Sequence, residues 1–352
     1  MNRRKFISVS SILTAAGMTF DIISAKSATD PNKAYVMTVL GKLNINEMGI
    51  TLPHEHVLTD FIEVDKQLGP RYEREIAFEA MIPLLMSIKN IGVRTFVDCT
   101  PAYIGRDVLL LKQLSKASGL NILTNTGYYA AADEKHLPDH AYTETKEQLA
   151  ARWLKEWQNG IAHTGVRPGF IKLGVGVGPL KPVEQKLIRA AAIVHLKSGL
   201  KIAIHTGDAA AAIEYTNLVM LSGIRPDAVI WVHAQNDDGQ FHVQLAKKGC
   251  FVSLDGFKES VIDSYIKYVL QLKSAGLLNK VLLSQDDGFS VEKQGDQISF
   301  KPYNTKLLSP YSAIFTVLRP ALLKNGISSK EFDMITQDNP KNAFMVEVCK
   351  LN

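Results

Sequence analysis

The stretch TLPHEHVLTD, residues 51–60, sets His54 and His56 one residue apart with Glu55 between them. On a β-strand, residues i and i+2 project from the same face. Two imidazoles side by side suit a metal ion, because two adjacent histidines cannot both carry charge cheaply. The bland alternative is a pair of surface histidines at a strand end. On this alternation Glu55 points to the opposite face, an outward bystander. Four further polar residues stand in or at the ends of other β-rich runs. Lys172 lies in FIKLGVG (170–176), His205 in KIAIHTG (201–207), His233 in AVIWVHA (228–234) and Asp286 in KVLLSQD (280–286). Singly, each has an ordinary explanation: a hydrogen-bonded core histidine, a snorkelling lysine, a helix cap. Gathered on one rim without a cation, they would leave several polar groups buried and unpaired.

What would gather them is a repeating βα pattern. Eight short apolar runs follow residue 45, the other four being GITLPHEH (49–56), RTFVDCT (94–100), NILTNTG (121–127) and CFVSLDG (250–256). Amphipathic segments separate most of them. GRDVLLLKQLSKASG (105–119) has Asp107 near its start and Gly119 at its stop. PVEQKLIRAAAIVHLKSG (182–199) opens on a proline and closes on a glycine. Strands alternating with helices mean βαβ units and a parallel sheet. Eight such strands predict an α/β fold of the (β/α)8 TIM-barrel type, with the polar strand ends on one face. No G-x-G-x-x-G follows the first strand, which weakens an open nucleotide-binding sheet. Residues 34–49 predict a short N-terminal β-hairpin turning at Gly41 and Lys42.

Imidazole and carboxylate without thiolate suit Zn, or Co, Mn or Fe. His54, His56, His205, His233 and Asp286 are too many for one open tetrahedral site, and divide naturally over two ions. A two-metal site is a hydrolytic device. Lys172 is then the anomaly, since two cations would repel an ammonium. The three cysteines, Cys99, Cys250 and Cys349, are odd in number and far apart, and imply no disulfide framework. Cys99 and Cys250 read as buried small hydrophobes.

At these residues the chain resembles the phosphotriesterase family of the amidohydrolase superfamily. The matching pieces include GITLPHEH, LKIAIHTGDA, WVHAQNDD, LLSQDDGF and QDNPKNAF, and they run nearly the whole length. The resemblance implies that Lys172 is carboxylated at its side-chain nitrogen to a carbamate bridging two divalent metal ions. It further implies that His54, His56 and Asp286 hold one metal and His205 and His233 the other. Asp286 then takes a proton from a bridging hydroxide, and the catalytic pair is Asp286 and Lys172. It implies a single hydrolase domain over residues 29–352, and the family's frequent homodimer.

The loops after the strands choose the substrate. Tyr129 falls where lactonase-like members carry a tyrosine and triesterase-like members a tryptophan, which favours a lactone or neutral carboxylic ester. Gly256 stands where many lactonase-like members have an arginine, a departure in the same pocket. Residues 287–304 are polar with Phe289, Phe300 and Tyr303 as candidate pocket residues, and predict an open pocket. The alternatives are phosphotriester hydrolysis and a barrel that binds a small ligand without turnover.

Composition excludes other classes. The chain has 352 residues, is 46% hydrophobic and carries a net charge of +5. Much of that charge sits in residues 1–28, where Arg3, Arg4, Lys5 and Lys26 face Asp21 alone. Nothing else asks for nucleic acid or for membrane insertion of the mature chain. Residues 1–28 read as a charged segment, an apolar run and a small-residue tail, and Arg3-Arg4-Lys5-Phe6 resembles a twin-arginine export signal. The expected location is the periplasm or outside the cell.

Overall fold

The computed structural model describes residues 34–67, 69–304 and 310–351. The expected export signal lies outside these residues. The described chain opens on the expected hairpin, β1 (Tyr35–Thr38) against β2 (Gly41–Asn44). Its turn is Val39–Leu40, two residues before the expected one. The reason is local: the Thr38 hydroxyl accepts from Leu40 N (3.2 Å) and donates to Gly41 O (2.9 Å), which closes the turn there.

Eight parallel strands follow. They are β3 (Ile50–Glu55), β5 (Val93–Asp98), the broken strand β6–β7 (Asn121–Leu123 and Asn125–Thr126), β8 (Phe170–Gly174), β9 (Ile202–His205), β10 (Val229–Val232), β11 (Phe251–Leu254) and β12 (Val281–Leu283). Each lies within, or one residue from, a run the sequence marks. Between the last strand and the first, His54 N donates to Ser284 Oγ (3.1 Å), Asp286 N to His54 O (3.3 Å) and His56 N to Asp287 O (2.8 Å). These bonds join the two ends of the sheet at the rim that carries the histidines. The result is the (β/α)8 barrel.

Helices cover the outside: α1 (Arg74–Asn90), α2 (Val108–Ser118), the short α3 (His140–Thr143), α4 (Lys146–Asn159), α5 (Pro182–Ser198), α6 (Ala209–Leu221), α7 (His242–Lys248) and α8 (Ile262–Ser274). Their boundaries follow capping chemistry. Asp107 accepts from Leu109 N and Leu110 N, and Gly119 ends α2 in the left-handed region at φ 68°. Alternation along the strands separates two apolar layers. Phe96, Ile171, Ile202 and Trp231 pack toward the helices, while Val97, Phe170, Ala203, Ile230, Phe251 and Leu282 fill the barrel interior. Lys172 shares the inward parity of Phe170, and His205 that of Ala203. The same alternation that builds the core therefore aims these two polar groups along the barrel axis.

The segment after the last barrel strand is more ordered than its polarity suggests. It forms the antiparallel hairpin β13 (Phe289–Gln294) with β14 (Gln297–Pro302), and β13 also pairs with β4 (Leu58–Thr59). The hairpin walls the rim beside the histidine strand.

Candidate metal centre and active site

The strand ends bring the six expected residues to one cavity of about 120 Å³. His54, His56, Lys172, His205, His233 and Asp286 all line it, with Tyr129. Asp286 is the hub. Its Oδ1 lies 3.2 Å from both His54 Nε2 and His56 Nε2, and its Oδ2 lies 3.9 Å from His233 Nε2. The imidazoles of His205 and His233 are 4.4 Å apart, centre to centre, and those of His54 and His233 are 5.0 Å apart. Asp286 and His233 hold left-handed backbone conformations, at φ 52° and 60°. For residues other than glycine such geometry costs about 1–3 kcal/mol and collects at functional sites.

Buried neighbours fix which imidazole nitrogen is free. Thr100 Oγ1 lies 3.3 Å from Leu58 O and 2.8 Å from His56 Nδ1. The hydroxyl donates to the carbonyl and accepts from Nδ1–H, which leaves the His56 Nε2 lone pair for the cavity. Asp255 does the same for His233, whose Nδ1 lies 2.7 Å from Oδ1, while Asp255 Oδ2 makes an ion-pair contact with His54 Nδ1 at 3.2 Å. Carboxylates behind metal-binding histidines set tautomer and orientation in this way. The Tyr129 hydroxyl lies 3.0 Å from His205 Nε2. When that nitrogen donates to the tyrosine, Nδ1 remains for a metal. Gly174 makes this contact possible, since a Cβ there would stand 2.3 Å from the Tyr129 ring.

The electrostatics fit a cation. Burial opposes ionisation of Asp255 and Asp286, but the neighbouring histidines outweigh it and hold both carboxyls well below the usual range. Burial pushes His56 down to about 4 and His205 well down, so both rings are neutral donors. Burial also opposes charge on His54, yet Asp255 and Asp286 help to raise it well above its ordinary value. A proton so placed is one that a divalent ion displaces. His54 Nδ1 and Nε2 and Asp286 Oδ1 are buried without a well-formed hydrogen bond, and ligand atoms of His54, His56 and Asp286 lie within 4.8 Å of one another. Lys172 is buried, and among the described residues no hydrogen bond or ion pair reaches its Nζ. The donor set fits two divalent ions, and Lys172 fits conversion to an anionic ligand.

A sequence model of the phosphotriesterase family matches residues 34–344. The chain belongs to the phosphotriesterase family. It is 27% identical over 316 residues to a protein of Saccharolobus solfataricus named aryldialkylphosphatase, covering 87% of this chain and 98% of that one. It is 25% identical over 307 residues to a phosphotriesterase homology protein of Escherichia coli, covering 86% and 100%. A phospho-furanose lactonase of Mycoplasmopsis synoviae is 25% identical over 334 residues, covering 87% and 90%. These names indicate a hydrolase.

Several assignments change on this phosphotriesterase-family barrel. Glu55 is no outward bystander: it is fully buried. Its Oε1 accepts from Ser284 Oγ (2.7 Å), Gln285 N (3.0 Å) and Gln285 Nε2 (3.3 Å), and its Oε2 from Asp287 N (2.7 Å). Burial, with Asp287 beside it, pushes the Glu55 carboxyl up to about 8. The carboxyl thus grips the chain on both sides of Asp286. Gly256 and Phe289 fall outside the cavity lining. A Cβ on Gly256 would stand 2.4 Å from Gln235 Nε2, and Phe289 packs in the layer between barrel and helices. Phe300 meets Tyr72, with ring centres 5.7 Å apart, whereas Tyr303 does line the cavity.

Phe61, Pro101 and Ile104 add an apolar wall, and Phe61 is 57% exposed at the mouth. Cys99 is buried as expected but belongs to the cavity wall. Sequence spacing does not single out Asp255, Thr100 or Phe61. Asp255 carried a usable signal, since it ends a β-rich run just as His233 does.

Proposed function

We propose that this chain is a binuclear metal-dependent hydrolase of a lactone or another neutral carboxylic ester. The observation that carries the reading is the Asp286 hub, a carboxylate among oriented imidazoles with an unpaired buried lysine beside it. His54, His56 and Asp286 would hold one divalent ion, His205 and His233 the other, and carboxylated Lys172 would join them, with Zn the default metal. Such ions, when bound, lower the pKa of water to about 7 and polarise the ester carbonyl. The chain's own residues do the rest. Asp286 would receive the proton of the attacking water on Oδ2, the oxygen that does not make the 3.2 Å contacts with His54 and His56. Asp255 and Thr100 hold His233 and His56 in the tautomers the reaction needs, and Asp255 pairs with His54 from behind. The rim of Phe61, Pro101, Ile104 and Tyr303 seats the substrate and excludes water from one side.

Neutrality of the substrate follows from the walls. Among the described residues, Lys172 is the only lysine or arginine in the lining, and its role as a metal bridge removes its positive charge. Tyr129 supports a carbonyl substrate by position. The relative named aryldialkylphosphatase favours a second reading, in which a neutral phosphotriester is also cleaved.

The test is a kcat/KM series over lactones, aryl carboxylic esters and an aryl dialkyl phosphate, with the metal-loaded protein. The reading expects lactones or carboxylic esters to lead and anionic esters to trail. A phosphotriester preferred over every lactone and carboxylic ester transfers the main activity to the second reading. No turnover of any of them, with two metals bound, removes both.

A further inference from the structure

The opposite end of the barrel holds a second cluster of reactive side chains. The segment after Phe344 runs across this face. Val346 N donates to Tyr35 O (3.0 Å), Glu347 N to Gly199 O (2.9 Å) and Arg225 N to Cys349 O (3.0 Å). Cys349 N donates to His195 Nε2 (2.9 Å), and His195 Nδ1–H donates to Leu200 O (2.8 Å), so the ring is neutral and fixed. Cys349 is thereby held at the root of β9, next to Lys201.

Lys201 and Cys349 are both buried, and Lys201 Nζ stands 2.9 Å from Cys349 Sγ. The other polar neighbours of the amine are farther, Asp227 O at 3.5 Å and Glu347 Oε2 at 4.0 Å. A buried lysine ordinarily surrounds itself with oxygen acceptors. Here its shortest contact is a sulfur, a poor acceptor, at about the separation a single bridging oxygen atom spans. The cluster is also a pair with complementary chemistry: a nucleophilic nitrogen and an oxidisable thiol, fixed from both sides by backbone hydrogen bonds.

We propose that Lys201 and Cys349 are a modification site, closed by dioxygen into a covalent Nζ–O–Sγ cross-link. The amine passes its ammonium proton to solvent and gives up one hydrogen, and the thiol gives up its hydrogen. One oxygen atom of dioxygen enters between nitrogen and sulfur, and the other leaves with the two hydrogens as water. Nitrogen and sulfur are oxidised and dioxygen is reduced. Dioxygen is small and apolar enough to reach an interior site. The bridge ties the C-terminal segment to the start of β9, at the barrel face remote from the metal centre, where stability rather than chemistry resides. Thiol reductants reopen it.

The test uses the full chain, purified in air and digested without reductant. The expected product is one cross-linked peptide pair joining the Lys201 and Cys349 segments, heavier than the two separate peptides by about 14 Da, one oxygen gained and two hydrogens lost. It disappears on thiol reduction and is absent from Lys201→Arg and Cys349→Ser. The air-exposed chain melts several degrees above the reduced chain, while its kcat stays within twofold. Comparing oxidised with reduced wild type needs no variant to fold. Three results overturn the proposal: a free Cys349 thiol after air exposure, Cys349 sulfinic acid with Lys201 unmodified, or a direct nitrogen–sulfur bond marked by a loss of about 2 Da.

Discussion

Replacing Glu55 by alanine strikes the seam where the last barrel strand meets the first. The Glu55 carboxyl accepts two buried backbone N–H groups, those of Gln285 and Asp287, and two side-chain donors, Ser284 Oγ and Gln285 Nε2. Alanine leaves both backbone donors without a partner in a site closed to water. Each such orphan costs about 1–3 kcal/mol, so the loss is about 2–6 kcal/mol. Against a typical domain stability of about 5–15 kcal/mol, that is a large share. Glu55→Gln, with its one oxygen toward Ser284 and Gln285, keeps three of the four bonds and sets an amide against Asp287 N–H. Its cost is that of one orphan, about 1–3 kcal/mol. Urea unfolding of the metal-free chain reads the difference as a lowered midpoint at unchanged slope, with alanine below glutamine below wild type. An exposed side chain would give a shift within about 0.5 kcal/mol. A value that small for Glu55→Ala would refute both the burial and the clamp.

Other consequences can be checked separately. Asp255→Asn removes the carboxylate shared by His54 and His233, and metal affinity should fall about 10–100-fold by competition with a chelator. Unchanged affinity would mean that Asp255 does not orient the ligands. Tyr129→Phe leaves His205 Nε2 without its hydroxyl partner, so metal affinity should weaken in the same assay, and less than for Asp255→Asn. His195 is pushed down by burial to about 4 from 6.5, so its neutral form is favoured in the fold. Stability should therefore fall as pH drops from 6.5 to about 4, by roughly 3 kcal/mol. The pH dependence of unfolding should flatten over that interval in His195→Asn, and an unchanged slope would contradict it.

The barrel and the residues gathered at its rim were legible because two patterns carry them. Short apolar runs mark the strands, and a histidine or aspartate near a run's end, or a lysine inside one, marks the rim. The residues placed otherwise than expected differ in cause. Strand alternation gives Glu55 the face opposite His54 and His56, and that face reads as solvent only if the sheet is open on one side. In a parallel barrel both faces are covered, so Glu55 is buried and must be hydrogen-bonded. Gly256 and Phe289 lie beside rim residues in sequence, but one packs on Gln235 and the other turns into the helix layer. Phe61 comes from the loop after the first strand, where no periodicity applies. Thr100 is an ordinary β-former until its contact with His56, 44 residues away, is seen.

The most direct test of the metal centre is the metal content of the purified full chain by mass spectrometry, after reconstitution with zinc and bicarbonate. The account predicts about two ions per chain, and a reduced content in Lys172→Ala with the fold retained by circular dichroism. One ion or none in the wild-type chain, or full occupancy without the lysine, would contradict it.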